Sequence, residues 1–437
     1  MHEPSSRQGT MDTLTPRRRW VALMVVFLSL VCDGIELGLM PVASLSVTQS
    51  LMGSAYDSVQ GGRWFAWFTA SLLLGAAVGG IVLGWLGDWI GRTKALAISV
   101  LFYSLFAGLG AWVQTQEQML ILRFLVGLGV GGVWPNGMTL VAELWPGTSK
   151  AKIAGMMSAG LNAGILLLSQ AVRIWPVTPS SWRWLFLSAA FPVLLGILAW
   201  RFVPESTEWL AKRRGQPKGL KSPSGNLWSP TIRPLAIAGI VLSSIPMVGA
   251  WAASKWMIPW ADSAAGAQLP GYKALVQGSW ALGAVAGSFA GAQLAVWLGR
   301  RNSYALISLC AAATTLGLFQ GSAPLRPEFP AIVAVQGFFS TLFFGWLAVY
   351  LPELYPVEVR AAGSGTAYNF GRFATALGVL AAGSLFSWLG GDYPRVGSLS
   401  ASLYALGLIA CSDPTHIQKR RRRMTPYRAV QRPLSIR

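Results

Sequence analysis

Long apolar runs recur along this chain from near residue 20 to near residue 412, and each has about the 20 residues that a helix needs to cross a bilayer. Hydrophobic residues make up 53% of the 437 residues and only 12% are charged, about half the share of a soluble domain. In lipid every backbone polar group must be satisfied internally, as it is in an α-helix. The sequence therefore predicts an all-α integral membrane protein. The twelve runs are 20–43, 64–84, 94–113, 118–141, 153–175, 183–202, 233–256, 273–297, 302–321, 329–351, 362–388 and 395–412.

Basic residues are distributed unevenly between these runs. The loops that follow even-numbered runs are rich in Lys and Arg, whereas the other loops mix a few basic residues with acids. The last 22 residues hold eight Lys or Arg and no acid. This alternation predicts a multi-pass plasma (inner) membrane protein with both termini in the cytoplasm, which requires an even number of spans. The net charge of +19 is thereby explained without a nucleic-acid partner.

One long hydrophilic segment divides the runs into two sets of six. It predicts five regions along the chain. These are a cytoplasmic N-terminal segment 1–19, an N-terminal bundle 20–202, a cytoplasmic linker 203–232, a C-terminal bundle 233–412 and a basic cytoplasmic tail 413–437.

Two short motifs occur once in each set. WIGR at 89–92 returns as WLGR at 297–300, and ELWPGTSKA at 143–151 returns as ELYPVEVRA at 353–361. The offsets are 208 and 210 residues, and the motifs follow the second and fourth run of each set. The repeat predicts two pseudo-symmetric six-helix bundles, a design of transporters in which the substrate site lies between the repeats near the middle of the membrane.

The stretch GWLGDWIGRTK at 84–94 resembles the signature of the major facilitator superfamily between the second and third membrane helices. The second half departs from this signature, because Val296 stands where Asp88 stands in the first half. The resemblance covers essentially the whole chain. It implies the fold of that superfamily, with twelve helices in two bundles that rock about a central site.

Charged residues near these motifs are candidates for a cytoplasmic gate. In the family, the Asp that matches Asp88 meets the N-terminus of the eleventh helix, whose free N–H groups favour an anion; here that helix is expected to begin near 361–363. Ion pairs that hold the cytoplasmic face closed in one state of the transporter would separate when that face opens. The expected pairs are Arg92 with Glu143, and Arg300 with Glu353 and Arg360, beside a tight turn at Gly91. The alternative is that these charges only set the topology.

Four charged residues lie inside the predicted spans away from their ends, where a charge is expensive and normally faces a polar site or a partner. They are Asp33, Glu36, Arg123 and Arg372. Asp33 and Glu36 are three residues apart and share a helix face, so they can share a proton and titrate as one unit. The fork of Arg372 suits a carboxylate, such as that of an anionic substrate. The alternatives are static ion pairs among these four residues.

All four of these charges belong to motifs with a narrower resemblance. Within the superfamily, DGIE at 33–36, RFLVGLGVGG at 123–132 and NFGR at 369–372 resemble the aromatic acid:proton symporters and their relatives that carry sialic acid and other small organic acids. The resemblance implies proton coupling by the acidic pair and substrate handling by the arginines, with Glu36 standing where that branch has an Asp. PELYPVEVR at 352–360 also resembles sugar and metabolite carriers. Three amides are further candidates for substrate binding: Asn162, Gln336 and Asn369.

The sequence thus predicts a secondary transporter that moves a small organic anion by proton symport. Its expected partners are protons, the substrate and the lipid bilayer, and it is expected to work as a monomer. The alternatives are a sugar or metabolite carrier, a drug exporter, and a non-transporting sensor on the same fold. No P-loop, HExxH or GxSxG motif occurs, so we expect neither an enzyme nor a cofactor. The cysteines, Cys32, Cys310 and Cys411, have no metal-like spacing, so we expect neither a metal site nor a disulfide.

Overall fold

The computed structural model describes residues 15–145, 149–215, 227–356 and 359–412, and within these ranges all regular structure is helical. Most of the predicted N-terminal segment, the middle of the linker and the basic tail lie outside the described residues. The α-helices are α1 Pro16–Met52, α2 Ser58–Ile90, α3 Arg92–Leu109, α4 Gln116–Leu144, α5 Lys150–Ile174, α6 Arg183–Ser188, α7 Val193–Phe202, α8 Thr207–Gly215, α9 Arg233–Val248, α10 Met257–Ala265, α11 Tyr272–Trp297, α12 Arg300–Gly321, α13 Phe329–Leu354, α14 Arg360–Trp388 and α15 Tyr393–Ser412.

Eleven helical segments in the described ranges are long and apolar enough to cross a membrane. Two of them are interrupted, since α6 with α7 makes one span and α9 with α10 makes another. The twelfth predicted run corresponds to α15, which is less apolar and packs along α12, with Gly397 against the ring of Phe319. The predicted fold class, an all-α membrane protein with twelve helices, is confirmed.

Several predicted boundaries differ from the helices. α1 continues to Met52, well beyond the predicted end at residue 43, because the part of a helix outside the lipid need not be apolar. The sixth run is broken between α6 and α7, where Pro192 has no N–H for the helix ladder.

The seventh run is longer than predicted and bends where Pro246 and Gly249 indicated. A π-helical turn, Gly249–Ala253, and a 3₁₀ turn, Ser254–Trp256, join α9 to α10, so the span ends near residue 265 rather than 256. Pro246 leaves the carbonyl of Leu242 without its helical donor, and the Tyr304 hydroxyl donates to it at 3.0 Å. Such a substitution from a neighbouring helix allows a bend at membrane depth.

Glycines bring equivalent helices together in the two halves. In the first half, a Cβ at Gly127 of α4 would lie 2.2 Å from the Leu72 carbonyl oxygen of α2. In the second half, a Cβ at Gly283 of α11 would lie 1.8 Å from the Ala334 carbonyl oxygen of α13. The second and fourth spans of each half therefore pack backbone to backbone, as small residues allow in membranes.

The two halves meet along two helix pairs. α2 packs against α14, where Gly383 contacts Ala66, and α5 packs against α11. Because successive spans alternate in direction, the start of α1, the turn at Gly91 and the start of α12 lie at one face, called here the terminal face. The opposite face, where α1 ends and α11 begins, is called the far face.

Aromatic rings and a buried lysine hold the halves together at the far face. Trp256 contacts Phe65 of the first half and Phe386 of the second, at ring separations of 5.2 and 5.0 Å. The Lys273 ammonium, 2% exposed, donates to the Asp262 carboxylate and to the Ser46 hydroxyl of α1, both at 3.0 Å. We call Ser46, Asp262 and Lys273 the far-face latch. Because its Lys–Ser contact joins the halves, this face is closed in the structure.

Gly127→Val should lower stability, because the new side chain meets the α2 backbone. Overpacking of this kind typically costs about 1–3 kcal/mol, measurable as a lower melting temperature in detergent micelles. The matched control is Gly317→Val in α12, where a Cβ would meet nothing within 4 Å. Equal melting temperatures for the two variants would contradict the packing described here.

Asp262→Asn should destabilise the protein by about 3–5 kcal/mol, because it leaves the buried Lys273 ammonium without its counter-ion. Adding Lys273→Met should recover much of that loss, which thermal unfolding of single and double variants measures. Asp392→Asn is the control, since its pair with Arg395 is largely exposed and should contribute little. If the single and double latch variants melt together, the pair is not coupled.

Candidate functional site

A buried ion pair lies between α1 and α4. Glu36 and Arg123 are 1% and 0% exposed, and Arg123 Nη1 donates to Glu36 Oε2 at 3.2 Å. The guanidinium carbon lies 5.2 Å from the centre of the Phe186 ring. The structure thus brings together one acid and one arginine that lie in different predicted spans. This contact is one of the ion pairs that the sequence analysis gave as an alternative role for the four charges.

Close contact between α1 and α5 fixes the rotation of α1. A Cβ at Gly34 would lie 1.8 Å from the Leu161 carbonyl oxygen, and one at Gly164 would lie 1.9 Å from the Val31 carbonyl oxygen. The backbones therefore touch, and α1 cannot turn without losing this contact. The glycine of the DGIE motif has a packing role beside the acids that flank it.

Asp33 differs from Glu36 in having no direct partner. It is 1% exposed, and among the described residues its carboxyl group makes no hydrogen bond or ion pair. The Tyr103 hydroxyl, near both carboxyl groups, is also buried without a hydrogen bond in the described part of the chain. Arg372 of the other half lies within electrostatic range of Asp33. The predicted pair therefore consists of one partnered and one unpartnered acid.

Arg372 projects from α14 onto α2. Its Nη1 donates to the Ala76 carbonyl oxygen at 3.0 Å, and its guanidinium carbon lies 5.2 Å from the centre of the Tyr368 ring. The Tyr368 ring is parallel to the Trp134 ring of α4, with centres 6.4 Å apart. Within the described ranges Arg372 forms no salt bridge, so its charge interacts with a carbonyl dipole and a ring. It lies at the interface of the two halves.

The three candidate amides differ in their surroundings. Asn162 of α5 donates to the hydroxyl of Ser288 in α11 at 3.0 Å, so it joins the halves. Gln336 accepts from Trp280 Nε1 at 3.0 Å and donates to Ser254 and Thr315, so every hydrogen-bonding position of its amide nitrogen is used inside the second half. The Asn369 amide oxygen lies beside Gly80, one turn from the Ala76–Arg372 contact. Asn162 and Gln336 therefore hold helices in place.

Charges at the terminal face pair mostly within one half. Arg92 binds Asp88 at 2.5 Å across the Gly91 turn, rather than the expected Glu143 at the end of α4. Asp88 is 66% exposed, and among the described residues its carboxylate forms no hydrogen bond to the start of α14, which begins at Arg360. Arg300 binds Glu353 through two hydrogen bonds of 3.0 and 2.8 Å, as expected. Gly91, at φ 112°, makes the predicted tight turn.

Sequence reasoning missed Glu205 at this face. Its carboxylate accepts from the backbone N–H groups of Arg92, at 2.9 Å, and Thr93, at 3.2 Å, and so caps the free N–H groups at the start of α3. Glu205 follows Pro204 at the start of the predicted linker, where an acid looks like ordinary loop charge.

Sequence reasoning also missed three charges of the second half: the buried Lys255 and Lys273, and the partly buried Asp262. Lys255 and Lys273 were placed at the ends of predicted spans, where lysine is common. Lys255 is buried between the rings of Trp251 and Trp280, and Lys273 is buried beside Asp262, which belongs to the continuation of the seventh span to Ala265. A lysine in the middle of a Trp-rich stretch, WAASKWMIPW, was the available signal for Lys255.

No cluster of three or more His, Cys, Asp or Glu side chains that could bind a metal occurs in the described ranges. Cys32 and Cys310 are free thiols. The side chain of Cys411 lies outside what the structure describes.

Comparisons with known proteins agree with this architecture. Residues 20–379 match the family model for the Major Facilitator Superfamily. The cis,cis-muconate transport protein of Acinetobacter baylyi is 28% identical over 377 residues, which cover 84% of this chain and 87% of that relative. The probable 4-methylmuconolactone transporter of Cupriavidus pinatubonensis is 29% identical over 329 residues, which cover 73% and 74%.

The crystal structure of a D-xylose–proton symporter superposes with a TM-score of 0.68 at 17% identity, covering 90% of this chain and 96% of the symporter, and shows likeness of fold alone. These relatives are transport proteins rather than enzymes, as the sequence predicted. The family match spans most of both halves, and it confirms the resemblance found at the signature between the second and third helices. The chain belongs to the major facilitator superfamily.

Proposed function

We propose that this chain is a secondary transporter that carries a small organic acid anion together with protons by alternating access. The names of two relatives, a cis,cis-muconate transport protein and a probable 4-methylmuconolactone transporter, support an organic acid as the substrate. The basic loops support an inner-membrane orientation with both termini in the cytoplasm. Both halves of the substrate path come from one chain, so the proposed unit is a monomer. We propose no nucleic-acid partner, because the basic residues lie in the loops and tail of a membrane protein.

The observation that carries the proposal is the position of Asp33 opposite Arg372. Asp33 is buried on α1 without a direct partner among the described residues, and Arg372 lies across the interface on α14. An ionised Asp33 attracts the guanidinium, and a protonated Asp33 does not. A proton on Asp33 would therefore free Arg372 to bind a substrate carboxylate, which couples the two ligands.

Glu36 and Arg123 have a different role in this proposal. Their ion pair neutralises two buried charges and fixes α1 against α4. Glu36 then supports the proton site by shaping its surroundings, and Arg123 reaches the substrate only if the pair opens. Asn162, Gln336 and Asn369 position the helices that surround the substrate.

Alternating access would use the two faces in turn. The far face is closed by the latch and by the rings around Trp256. At the terminal face, Asp88 with Arg92, and Arg300 with Glu353, bind within their own halves, as a gate would when that face is open. We propose that these four residues, with Glu143 and Arg360, exchange partners between halves when the far face opens, and that Gly91 provides the tight turn that holds Asp88 and Arg92 together.

The transport assay uses purified protein in liposomes with an inward proton gradient and radiolabelled benzoate or cis,cis-muconate outside. Accumulation above equilibrium that collapses with a proton uncoupler is the expected result. Accumulation that survives the uncoupler would refute proton coupling. Uptake of xylose without uptake of either acid would refute the substrate class.

Asp33→Asn should abolish proton-driven accumulation while preserving exchange of labelled for unlabelled acid, because exchange needs substrate binding but no proton release. The melting temperature should change little, since Asp33 has no ion pair to lose in the described structure. Glu36→Gln should instead lower stability by about 3–5 kcal/mol, because it leaves Arg123 buried and unpaired. Proton-driven accumulation by Asp33→Asn at the wild-type level would remove Asp33 as the proton site.

A further inference from the structure

Lys255 is a buried cation that the proposed mechanism does not use. It lies in the 3₁₀ turn Ser254–Trp256, directly after the π-helical turn that bends the seventh span. The residue is 2% exposed, and its ammonium nitrogen has no hydrogen-bond or ion-pair partner in the described part of the chain. An ionised group in such a place is normally paired, so an unpaired one needs an explanation.

Two indole rings surround the Lys255 ammonium. Its nitrogen lies 3.2 Å from the centre of the Trp280 ring and 5.7 Å from the centre of the Trp251 ring. Ring faces attract a cation but compensate only part of the lost hydration. An ammonium has three N–H donors, and a ring face is a much weaker acceptor than water or a carboxylate. The N–H groups of Lys255 therefore remain available to bind a stronger acceptor.

A network of hydrogen bonds holds this arrangement rigid. Trp280 donates to the Gln336 oxygen at 3.0 Å, and the Gln336 nitrogen donates to the Ser254 hydroxyl at 2.5 Å and to Thr315 at 3.1 Å. Ser254 also contacts the Tyr404 hydroxyl. One glutamine therefore fixes both the ring beneath Lys255 and the residue before it, which is the kind of support that a binding group needs.

No acid of the described structure forms an ion pair or hydrogen bond with Lys255, and two of the acids in the membrane spans already have other partners. Asp262 of the same span binds Lys273, and Glu36 of α1 binds Arg123. Trp280 lies one turn along α11 from Gln277, against which Gly38 of α1 packs. Glu36 is two residues from Gly38, so the helix that carries Trp280 packs against α1 close to the acids of α1.

We propose that Lys255 binds the carboxylate of the transported acid, with the faces of Trp251 and Trp280 contacting a planar, unsaturated or aromatic carbon skeleton. This inference rests on the proposed function and deepens it by naming a carboxylate-binding group in the second half. The bound carboxylate supplies the counter-ion and acceptor that the ammonium lacks. The flanking rings select flat acids over compact aliphatic ones.

The test measures equilibrium binding of radiolabelled benzoate and cis,cis-muconate to purified protein in detergent, with the neutral benzamide as competitor. Lys255→Met should weaken binding of the acids by at least about tenfold, the loss expected for one charge-assisted hydrogen bond. Lys255→Arg should retain binding within a few-fold, and benzamide should compete poorly. The matched control is Lys152→Met, which makes the same change at an exposed lysine and should leave binding unchanged.

Thermal unfolding of the same variants separates binding from structure. Lys255→Met should melt at or above the wild-type temperature, because it removes a buried charge that has no counter-ion. A large fall in melting temperature would mean that Lys255 is a structural cation, and would overturn the inference. Lys255→Gln, which keeps a polar end, is the second variant if Lys255→Met does not fold.

The binding results also distinguish this inference from the proposed function. Wild-type protein that binds an acid, with Lys255→Met binding it equally well, overturns the role of Lys255 and leaves the transporter of organic acids intact. Wild-type protein that binds neither acid overturns both.

Discussion

A charge buried between membrane helices must find compensation inside the protein, and this requirement accounts for most of the polar contacts described above. Glu36 meets Arg123, and Asp262 meets Lys273. Arg372 has a backbone carbonyl and an aromatic ring, and Lys255 has two rings. The groups thus fall into two classes, charges that are neutralised by an opposite charge and charges that are only partly compensated.

The incompletely compensated groups are the ones we assign to ligands. Asp33, Arg372 and Lys255 come from three different spans of the two halves, so a proton or a substrate anion bound among them would affect both halves. The charges that lie beside an opposite charge, in contrast, fix helix positions: Glu36–Arg123 within the first half, and the latch across the far face. In this proposal, stability and ligand binding therefore depend on different members of the same set of charges.

Backbone contact at glycines makes these arrangements reproducible in both halves. Gly127 against α2 and Gly283 against α13 place the second and fourth spans of each half at equivalent separations. Gly34 does the same for α1 and α5 and so sets the direction in which Asp33 and Glu36 point. The side chains of the site are therefore positioned by helix contacts in which one partner is a glycine, which has no side chain.

The sequence by itself determined the helical membrane fold and its duplication and singled out four charges inside the spans, because apolar length, motif offset and charge can all be read along the chain without knowing how helices pack. It could not assign partners, since Arg123 reaches Glu36 and Arg372 reaches α2 only after helices distant in the chain pack together. Lys255 and Lys273 lie at the ends of the predicted spans 233–256 and 273–297, where an exposed lysine is expected. Only the tertiary structure decided that they are buried, because the rings of Trp251 and Trp280 flank Lys255, and Asp262, in the continuation of the seventh span to Ala265, lies beside Lys273.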